Sequence, residues 1–311
     1  MKLYIKANDY KTVKNLDSLL PAYISKTSLF LQEEINPFYK ISMLSAKEIE
    51  EKKELLFYDN REIKKIVKGL YFGNSYCEHL LPSPLDIAKA KSHYNDRHHN
   101  FVFVFAPIAS KINRAKEILQ TLKELQVKEV VVNDYGMMHL ALSEGFKPIL
   151  GVNFTKTIKN TFIEHKMATE ITKEQFKNQK ELLKHLEFEI DSYREFLKSL
   201  GIGRVSIENI EFDESFIEKK PLLNIDIYYP YITISNSRAC DIAGIFEDKR
   251  GYFAQEDCRK FCQELSLEFA LTPITGLLQR YNSVQKSNIS LNIKKDIYKN
   301  KKNRLIWEVF V

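Results

Sequence analysis

The 311-residue sequence lacks the motifs that mark several common enzyme classes. No GxGxxG or GxxxxGK[ST] run follows a predicted strand, so the usual dinucleotide-binding and P-loop fingerprints are absent. Neither HExxH nor GxSxG occurs, which leaves zinc-peptidase and serine-hydrolase chemistry without support. No apolar run approaches the ~20 residues that a membrane-spanning helix requires. We therefore expect a cytoplasmic protein with no membrane span.

The charge of the chain is only weakly biased. It carries 47 basic and 41 acidic residues, a formal net charge of +6, whereas dedicated nucleic-acid-binding proteins concentrate more basic charge on one face. The one dense basic run, residues 294–304, predicts a solvated surface segment, with a patch for RNA or an acidic partner as the alternative. Apolar residues make up 44% of the chain, so it can bury a full core and disorder is not expected.

Cysteine is scarce, and its placement is uneven. Cys240, Cys258 and Cys262 lie close together in the sequence, whereas Cys77 lies 163 positions before Cys240. No leader segment precedes the first predicted strand, so we expect reduced thiols in place of disulfides. Four thiolates satisfy one zinc ion or one iron–sulfur cluster, but buried cysteines also serve as small apolar side chains. The paired C-x2-C spacing of a zinc ribbon is absent, and the residues alone leave these alternatives open.

Strands and helices alternate along most of the chain. This order predicts a parallel α/β fold, and about eight strands favour a TIM-barrel-like (β/α) barrel, regular or irregular in outline, over an open doubly wound sheet. We expect residues 1–311 to form a single domain. The predicted strands are residues 1–5, 69–74, 101–107, 128–134, 147–153, 203–210, 225–235 and 267–273.

Two segments interrupt the alternation. Residues 24–66 contain a capping-box pattern from Ser45 to Glu48 but no clear strand–helix order, and they are interpreted as an insertion. Residues 157–190 begin a long charged helical stretch that one βα unit does not require, and they predict a helical insertion. This insertion is either a solvated excursion or an arm that docks a partner or covers the barrel mouth.

Residues that follow the predicted strands are the candidates for function. In a (β/α) barrel the working side chains lie at the carboxyl ends of the strands. This rule selects Cys77, Asp134, Asn153, Glu208 and Arg238. Each has a structural alternative, because Asp134 can cap the next helix and Arg238 can neutralise a neighbouring carboxylate.

The cysteine pattern resembles peptidase family U-32, in particular its short UbiU/UbiV-like branch. Cys77 ends LYFGNSYC, which is similar to the branch's YLGxxxC, with Phe72 in place of leucine. The later cysteines match the branch's Cys, long gap, Cys, three residues, Cys, with one extra residue in the long gap. Asp134 in VNDYG matches its D-x-G, and Glu208 matches a position where glutamate recurs.

The resemblance implies a 4Fe–4S cluster held by Cys77, Cys240, Cys258 and Cys262. It implies O2-independent hydroxylation of an aromatic or isoprenoid-quinone-type substrate, with prephenate as the oxygen donor and a second subunit of the same fold in a heterodimer. Asp134, Glu208 and Arg238 would then hold substrate or donor, since an arginine fork suits carboxylates. The peptidase label of the family receives no support from the residues.

Two alternative functions remain at the level of sequence. Longer members of the family are linked to hydroxylation of tRNA or rRNA bases, and residues 294–304 would then contact phosphates. A structural four-cysteine zinc protein is the alternative from a different class.

Overall fold

Eight parallel strands form a closed barrel in the computed structural model. The order around the barrel is β1-β12-β7-β6-β5-β4-β3-β2, with β1 and β2 closing the circle. The predicted TIM-barrel-like α/β fold is therefore confirmed. The barrel strands are β1 Lys2–Ala7, β2 Val67–Gly73, β3 Asn100–Val104, β4 Glu129–Val132, β5 Lys147–Leu150, β6 Arg204–Glu208, β7 Asn224–Tyr229 and β12 Arg304–Glu308.

The structure describes only part of the chain. Residues 17–66 are not among those described, so the predicted insertion at 24–66 with its capping box lies outside them. Most of the predicted helical insertion at 157–190 lies outside them as well. The described residues are 2–16, 67–95, 100–155, 178, 185–210, 212, 223–229, 231–237, 240–246, 258–263, 265–271, 274–280, 283–287 and 300–308.

The helices lie between successive strands, as the alternating pattern predicts. Helix α1 begins at Pro84, and Ser83 caps it: the Ser83 hydroxyl accepts the Asp86 amide at 3.0 Å. Residues 10–16 are also helical. The labelled helices are α1 Pro84–Asn95, α2 Ile112–Glu124, α3 Tyr135–Ser143, α4 Asp191–Ser199 and α5 Asp241–Phe246.

Side chains alternate between two layers along each barrel strand. On β3, Phe103 packs outward in the apolar layer under the helices, whereas Val102 and Val104 face the barrel interior. On β2, Leu70 and Phe72 point outward and Tyr71 inward. This period of two is what a strand requires when both faces are buried.

The amino-terminal half of the barrel interior is filled by a buried polar network. Asp226 accepts hydrogen bonds from Arg204, at 2.6 Å, and from the Tyr71 hydroxyl. Arg304 donates to Tyr71 and to Glu129, each at 2.8 Å. Burial raises the pKa of Asp226, and the two guanidinium groups oppose this rise. Each buried charge thus has a partner, as a buried charge requires.

A second sheet is inserted between the seventh and eighth barrel strands. Strands β8 Tyr231–Asn236, β9 Leu267–Leu271, β10 Ile274–Arg280 and β11 Ser283–Ser287 form an antiparallel sheet in the order β8-β11-β10-β9. We call it the inserted sheet. Its first strand, β8, follows the carboxyl end of β7, and the Thr233 amide of β8 donates to Glu208 at the carboxyl end of β6, so β8 lies at the barrel mouth.

The inserted sheet corrects two sequence predictions. Residues 225–235, predicted as one strand, are β7 of the barrel followed by β8 of the inserted sheet. Residues 267–273, predicted to close the barrel, contain β9 of the inserted sheet, and Arg304–Glu308 closes the barrel instead. A short apolar run does not reveal whether its partner strand is parallel or antiparallel, which explains both errors.

The seam between β1 and β12 contains a buried ion pair. Lys6 and Glu308 are direct neighbours across the two strands, and the Lys6 ammonium donates to the Glu308 carboxylate. Their exposed fractions are 0% and 2%. The ammonium also contacts Asn8 Oδ1 at 3.3 Å and lies 5.8 Å from the ring centroids of Tyr76 and Tyr228. The strands that close the barrel are therefore joined by charge as well as by backbone hydrogen bonds.

Removing one member of this pair is expected to destabilise the fold strongly. Lys6→Met or Glu308→Leu alone leaves an unpaired buried charge, which costs ~3–5 kcal/mol. The double variant removes both charges and is expected to lose less than the sum of the single losses. The measurement is a double-mutant cycle of urea unfolding.

An exposed pair supplies the matched control. Lys123 and Glu144 form an ion pair whose side chains are 41% and 40% exposed. Lys123→Met and Glu144→Leu are expected to couple by only ~0–1 kcal/mol. Additive losses at Lys6 and Glu308 would contradict a paired role for the two charges.

Candidate metal centre and adjoining cleft

Cys77 is presented by a tight turn at the carboxyl end of β2. Gly73 has a φ of +123°, and a Cβ there would lie 2.3 Å from the Val104 carbonyl oxygen, so only glycine fits. Asn74 Oδ1 then accepts the amides of Tyr76 and Cys77, each at 2.8 Å. This asparagine turn directs Cys77 over the barrel mouth, as the rule for (β/α) barrels predicts.

The other three cysteines come from the excursion that contains the inserted sheet. Cys240 immediately precedes α5, and Cys262 lies in the short 3-10 helix Phe261–Gln263. Cys262 packs against the interior cluster that contains Cys77 and also against the cluster that contains Cys240. Residues far apart in sequence therefore meet at the mouth.

All four thiols interact with one another. Besides burial, a negative charge on Cys240 and one on Cys258 each raise the pKa of Cys77. A negative charge on Cys258 likewise adds to the effect of burial on the pKa of Cys240. Cys262 is affected by all three of the others. Every pair among the four is thus within electrostatic range. We call Cys77, Cys240, Cys258 and Cys262 the thiol group.

The thiol group is poorly suited to carry negative charge without a cation. Burial is the main cause that raises the pKa of Cys77, to about 12, and it also raises the pKa of Cys240 and Cys262. Neighbouring thiols add to each rise. A bound metal centre reverses this balance, because a coordinating thiol is deprotonated by the metal.

The thiol group supplies sulfur donors of the kind that a zinc ion or an iron–sulfur cluster binds. Among the described residues, no three His, Cys, Asp or Glu side chains are grouped tightly enough to hold one metal ion. Four cysteine sulfurs that bind zinc all coordinate the same ion. In a four-iron cluster each cysteine sulfur binds a separate iron atom, so the four sulfurs lie farther apart.

Glu78 holds the Cys77 segment against the loop that follows β3. Its carboxylate accepts the amides of Ala109, Ser110 and Lys111 at 2.8, 3.0 and 3.1 Å, and the Ser110 hydroxyl at 2.9 Å. Partial burial alone would raise the pKa of Glu78, but these hydrogen bonds outweigh it and lower the pKa. The residue after Cys77 therefore fixes the position of the turn.

The predicted substrate residues have different positions. Asp134 caps α3: its carboxylate accepts the Met137 amide at 2.7 Å and the Ile108 amide at 2.9 Å. Glu208 is buried and accepts the Thr233 amide at 2.6 Å, which joins β6 to the inserted sheet. Arg238 lies outside the described residues. Substrate contact by these three residues stays a prediction, and for Asp134 both oxygens already have structural partners.

Asn153 joins several parts of the mouth. Its Nδ2 donates to the Ser75 carbonyl at 3.2 Å, and its Oδ1 accepts from Asn236 Nδ2 at 3.1 Å. Its own amide donates to Asn133 Oδ1 at 3.3 Å. Ser75 precedes Cys77 by two residues and Asn236 precedes Cys240 by four. Asn153 therefore links the two segments that carry the thiols.

Sequence reasoning missed a set of hydroxyl groups inside the mouth. Tyr228, Ser75 and Ser206 are buried with their hydroxyls near one another, yet none of the three forms a well-directed hydrogen bond within the described residues. Burial is the main cause that raises the pKa of Tyr228 above that of an ordinary phenol. The only sequence signal was the inward position of Ser206 and Tyr228 on strands β6 and β7.

An open cleft lies beside Asn153 at the rim of the mouth. Its volume is about 660 Å³. We call it the rim cleft, and the described residues that line it are Asn133, Asp134, Tyr135, Asn153, Phe154, Glu187, Ile190, Ser192, Tyr193 and Phe196.

The predicted basic surface segment is only partly described. Arg304, its last residue, is buried at the amino-terminal end of the barrel and bound to Glu129, so it is not available to a phosphate. Lys301 and Lys302 are exposed, and residues 288–299 lie outside the described part. None of the helices in the described ranges has the length and apolar character needed to cross a bilayer.

Comparisons with known proteins assign the chain to no family. No family model and no curated protein matches the chain. Solved structures similar to it include a FabK mutant (13% identity, TM-score 0.28) and a truncated 3-deoxy-D-arabino-heptulosonate 7-phosphate synthase (12%, 0.34), both from Thermotoga maritima. A third is D-psicose 3-epimerase from Clostridium cellulolyticum H10 (13%, 0.31).

The matches cover different shares of the chains. This chain is covered to 51%, 73% and 81%, and the three solved structures are covered to 44%, 63% and 78% of their own lengths, in the same order. The chain thus spans less than two thirds of the first two.

Glu78→Ala is expected to loosen the segment that carries Cys77. Three amides lose their acceptor, and we expect the free energy of unfolding to fall by ~1–2 kcal/mol because the site is half-exposed. Cys77 should also react faster with a thiol reagent, which peptide mass spectrometry of the metal-free protein can follow. The control is Glu195→Ala, an exposed glutamate on α4; equal effects of the two variants would contradict the assigned role of Glu78.

Proposed function

We propose that this chain holds a 4Fe–4S cluster with Cys77, Cys240, Cys258 and Cys262 and works as an O2-independent hydroxylase, or as one subunit of such an enzyme. The proposal includes membership of the U-32 peptidase family in its short UbiU/UbiV-like branch, with an aromatic or isoprenoid-quinone-type substrate. The observation that carries it is the meeting of four remote thiols at the mouth of a (β/α) barrel.

The placement of the thiol group supports the proposal independently of the sequence pattern. The working end of a (β/α) barrel is the carboxyl end of its strands, and both thiol-bearing segments lie there. All four cysteines of the chain take part and none is left over. Apolar packing alone does not require that all four cysteines of the chain meet at the barrel mouth.

The cluster, when bound by four cysteines, supplies electron transfer and has no open iron for activating water. The described residues around the thiol group would enclose the cluster. Tyr76 and Tyr228 close the barrel interior beneath the thiol group, and Glu208 fixes the inserted sheet above it through the Thr233 amide. Buried walls of this kind exclude bulk water from the mouth.

The partners and location in this proposal follow from the resemblance. They are a second subunit of the same fold, an organic oxygen donor such as prephenate, and a cytoplasmic setting. Asp134, Glu208 and Arg238 remain the candidates for donor or substrate contact, although hydrogen bonds to the protein already occupy Asp134. Action on RNA bases has no supporting contact among the described residues.

The test is anaerobic purification with iron, sulfide and zinc quantified and a visible absorption spectrum recorded. We expect about four irons and four sulfides per chain, as a 4Fe–4S cluster requires. Replacing any one of the four cysteines by serine should lower the iron content sharply, because each thiolate binds its own iron. Ser143→Ala, a surface change on α3, is the matched control and should keep the full content.

Two results would overturn the proposal. Stoichiometric zinc in a colourless protein would make the thiol group a structural zinc site. The second result is protein that unfolds cooperatively but contains neither metal after anaerobic reconstitution. The four cysteines would then be ordinary buried apolar side chains.

A further inference from the structure

We propose that the rim cleft binds an uncharged planar ring that carries hydrogen-bonding groups on its edge. In the reaction proposed above, and only if that proposal holds, this ring is the group to be hydroxylated. The size of the cleft, its aromatic walls, its polar groups and its link to the thiol group support this proposal.

The cleft has the size of a small-molecule site. Its volume of about 660 Å³ falls within the ~300–1,000 Å³ typical of ligand pockets. It lies at the carboxyl ends of β4 and β5, where α3 begins and the 3-10 helix Val152–Phe154 follows β5. The opposite wall is formed by the start of α4 and the 3-10 helix Glu187–Glu189.

Aromatic side chains form both walls. On one side Tyr135 packs edge-on against Phe154, with ring centroids 4.9 Å apart. On the other side Tyr193 and Phe196 stack with centroids 6.3 Å apart and planes 23° from parallel. Tyr135 is 51% exposed and Phe196 43%, which is unusual for large apolar side chains in one cleft. Rings held in this way offer faces and edges to a flat ligand.

Polar groups lie between these walls. Asn133 and Asn153 line the cleft, and the Tyr135 and Tyr193 hydroxyls lie 3.4 Å apart. A phenol is protonated at neutral pH, and burial and the contact with Tyr135 raise the pKa of Tyr193 further. The two phenols can therefore donate to, or accept from, oxygen and nitrogen atoms on the edge of a ring.

The charges around the cleft favour an uncharged ligand. No Lys, Arg or His is among the described residues that line it, whereas Glu187 and Asp134 are. A carboxylate-bearing ring would therefore face the negative charges of Glu187 and Asp134. An uncharged ring avoids this repulsion, which is why we assign the cleft to the ring that is modified.

The cleft adjoins the thiol group through Asn153. This side chain lines the cleft and bonds to Ser75 and Asn236, which lie two and four residues before Cys77 and Cys240. A ring in the cleft would thus lie against a residue that holds both thiol-bearing segments in place.

The test measures binding of small rings to the intact purified protein by saturation-transfer NMR with titration. The probes are hydroquinone, uridine and benzoate, used with metal-free protein and with anaerobically reconstituted protein. We expect an uncharged ring to bind and benzoate to bind at least tenfold more weakly. Preference for uridine would identify a nucleobase as the source of the ring, and preference for hydroquinone a free quinone-type ring; either supports the cleft.

Variants locate the binding. Tyr193→Ala and Phe196→Ala are each expected to weaken binding about five- to tenfold, because one stacked aromatic surface is lost. Leu85→Ala is the matched control, since Leu85 is an exposed apolar residue on α1 outside the cleft. Tyr135→Phe keeps the wall and removes one rim hydroxyl, so it should lower affinity by less.

Three results would overturn this inference: no binding of either uncharged probe by folded protein, equal binding by the Tyr193 and Phe196 variants, or benzoate binding as tightly as hydroquinone. Failure of the proposed function looks different. If the protein contains no iron but binds the uncharged ring in the cleft, the proposed hydroxylase is wrong and the ring site stands. If the protein contains a full cluster but binds no ring, the ring site is wrong and the proposed cluster stands.

Discussion

Closure of the barrel by its first and last described strands is the constraint on which the rest of the structure depends. Strand β12 lies between β7 and β1, so the chain must return from the inserted sheet before the eight-stranded circle is complete. At this seam the Lys6–Glu308 pair is fully buried on directly opposed positions. A charge in that place is tolerated only with its partner, which makes the register of the seam specific.

The position of the thiol group follows from that closure. One cysteine is on the turn after β2, and the other three are on the excursion between β7 and β12, so no local segment contains the whole set. Glu78 ties the Cys77 turn to the loop after β3, and Glu208 ties β8 to the end of β6. Each thiol-bearing segment is thus anchored to a different part of the barrel rim. The arrangement is a property of the closed barrel and not of a short motif.

The mouth separates polar and aromatic surfaces. The interior beneath the thiol group has the ion pair and the buried hydroxyls of Tyr228, Ser75 and Ser206, whereas the rim cleft exposes aromatic faces beside two asparagines. Asn153 lies between the two regions and contacts residues of both thiol-bearing segments. The buried charges and the exposed aromatic faces therefore lie in two adjoining but distinct regions of the mouth.

The sequence by itself determined the alternation of strands and helices and the uneven placement of the few cysteines, because these depend on local periodicity and residue type. It located seven of the barrel strands but assigned the eighth to residues 267–273, because the apolar content of a strand does not show which other strand it pairs with. The tertiary structure alone decided that Arg304–Glu308 closes the barrel, that Asp134 caps α3 and that Tyr135 and Tyr193 face each other across a cleft. These features depend on contacts between residues far apart in sequence, and such contacts arise only when the barrel closes.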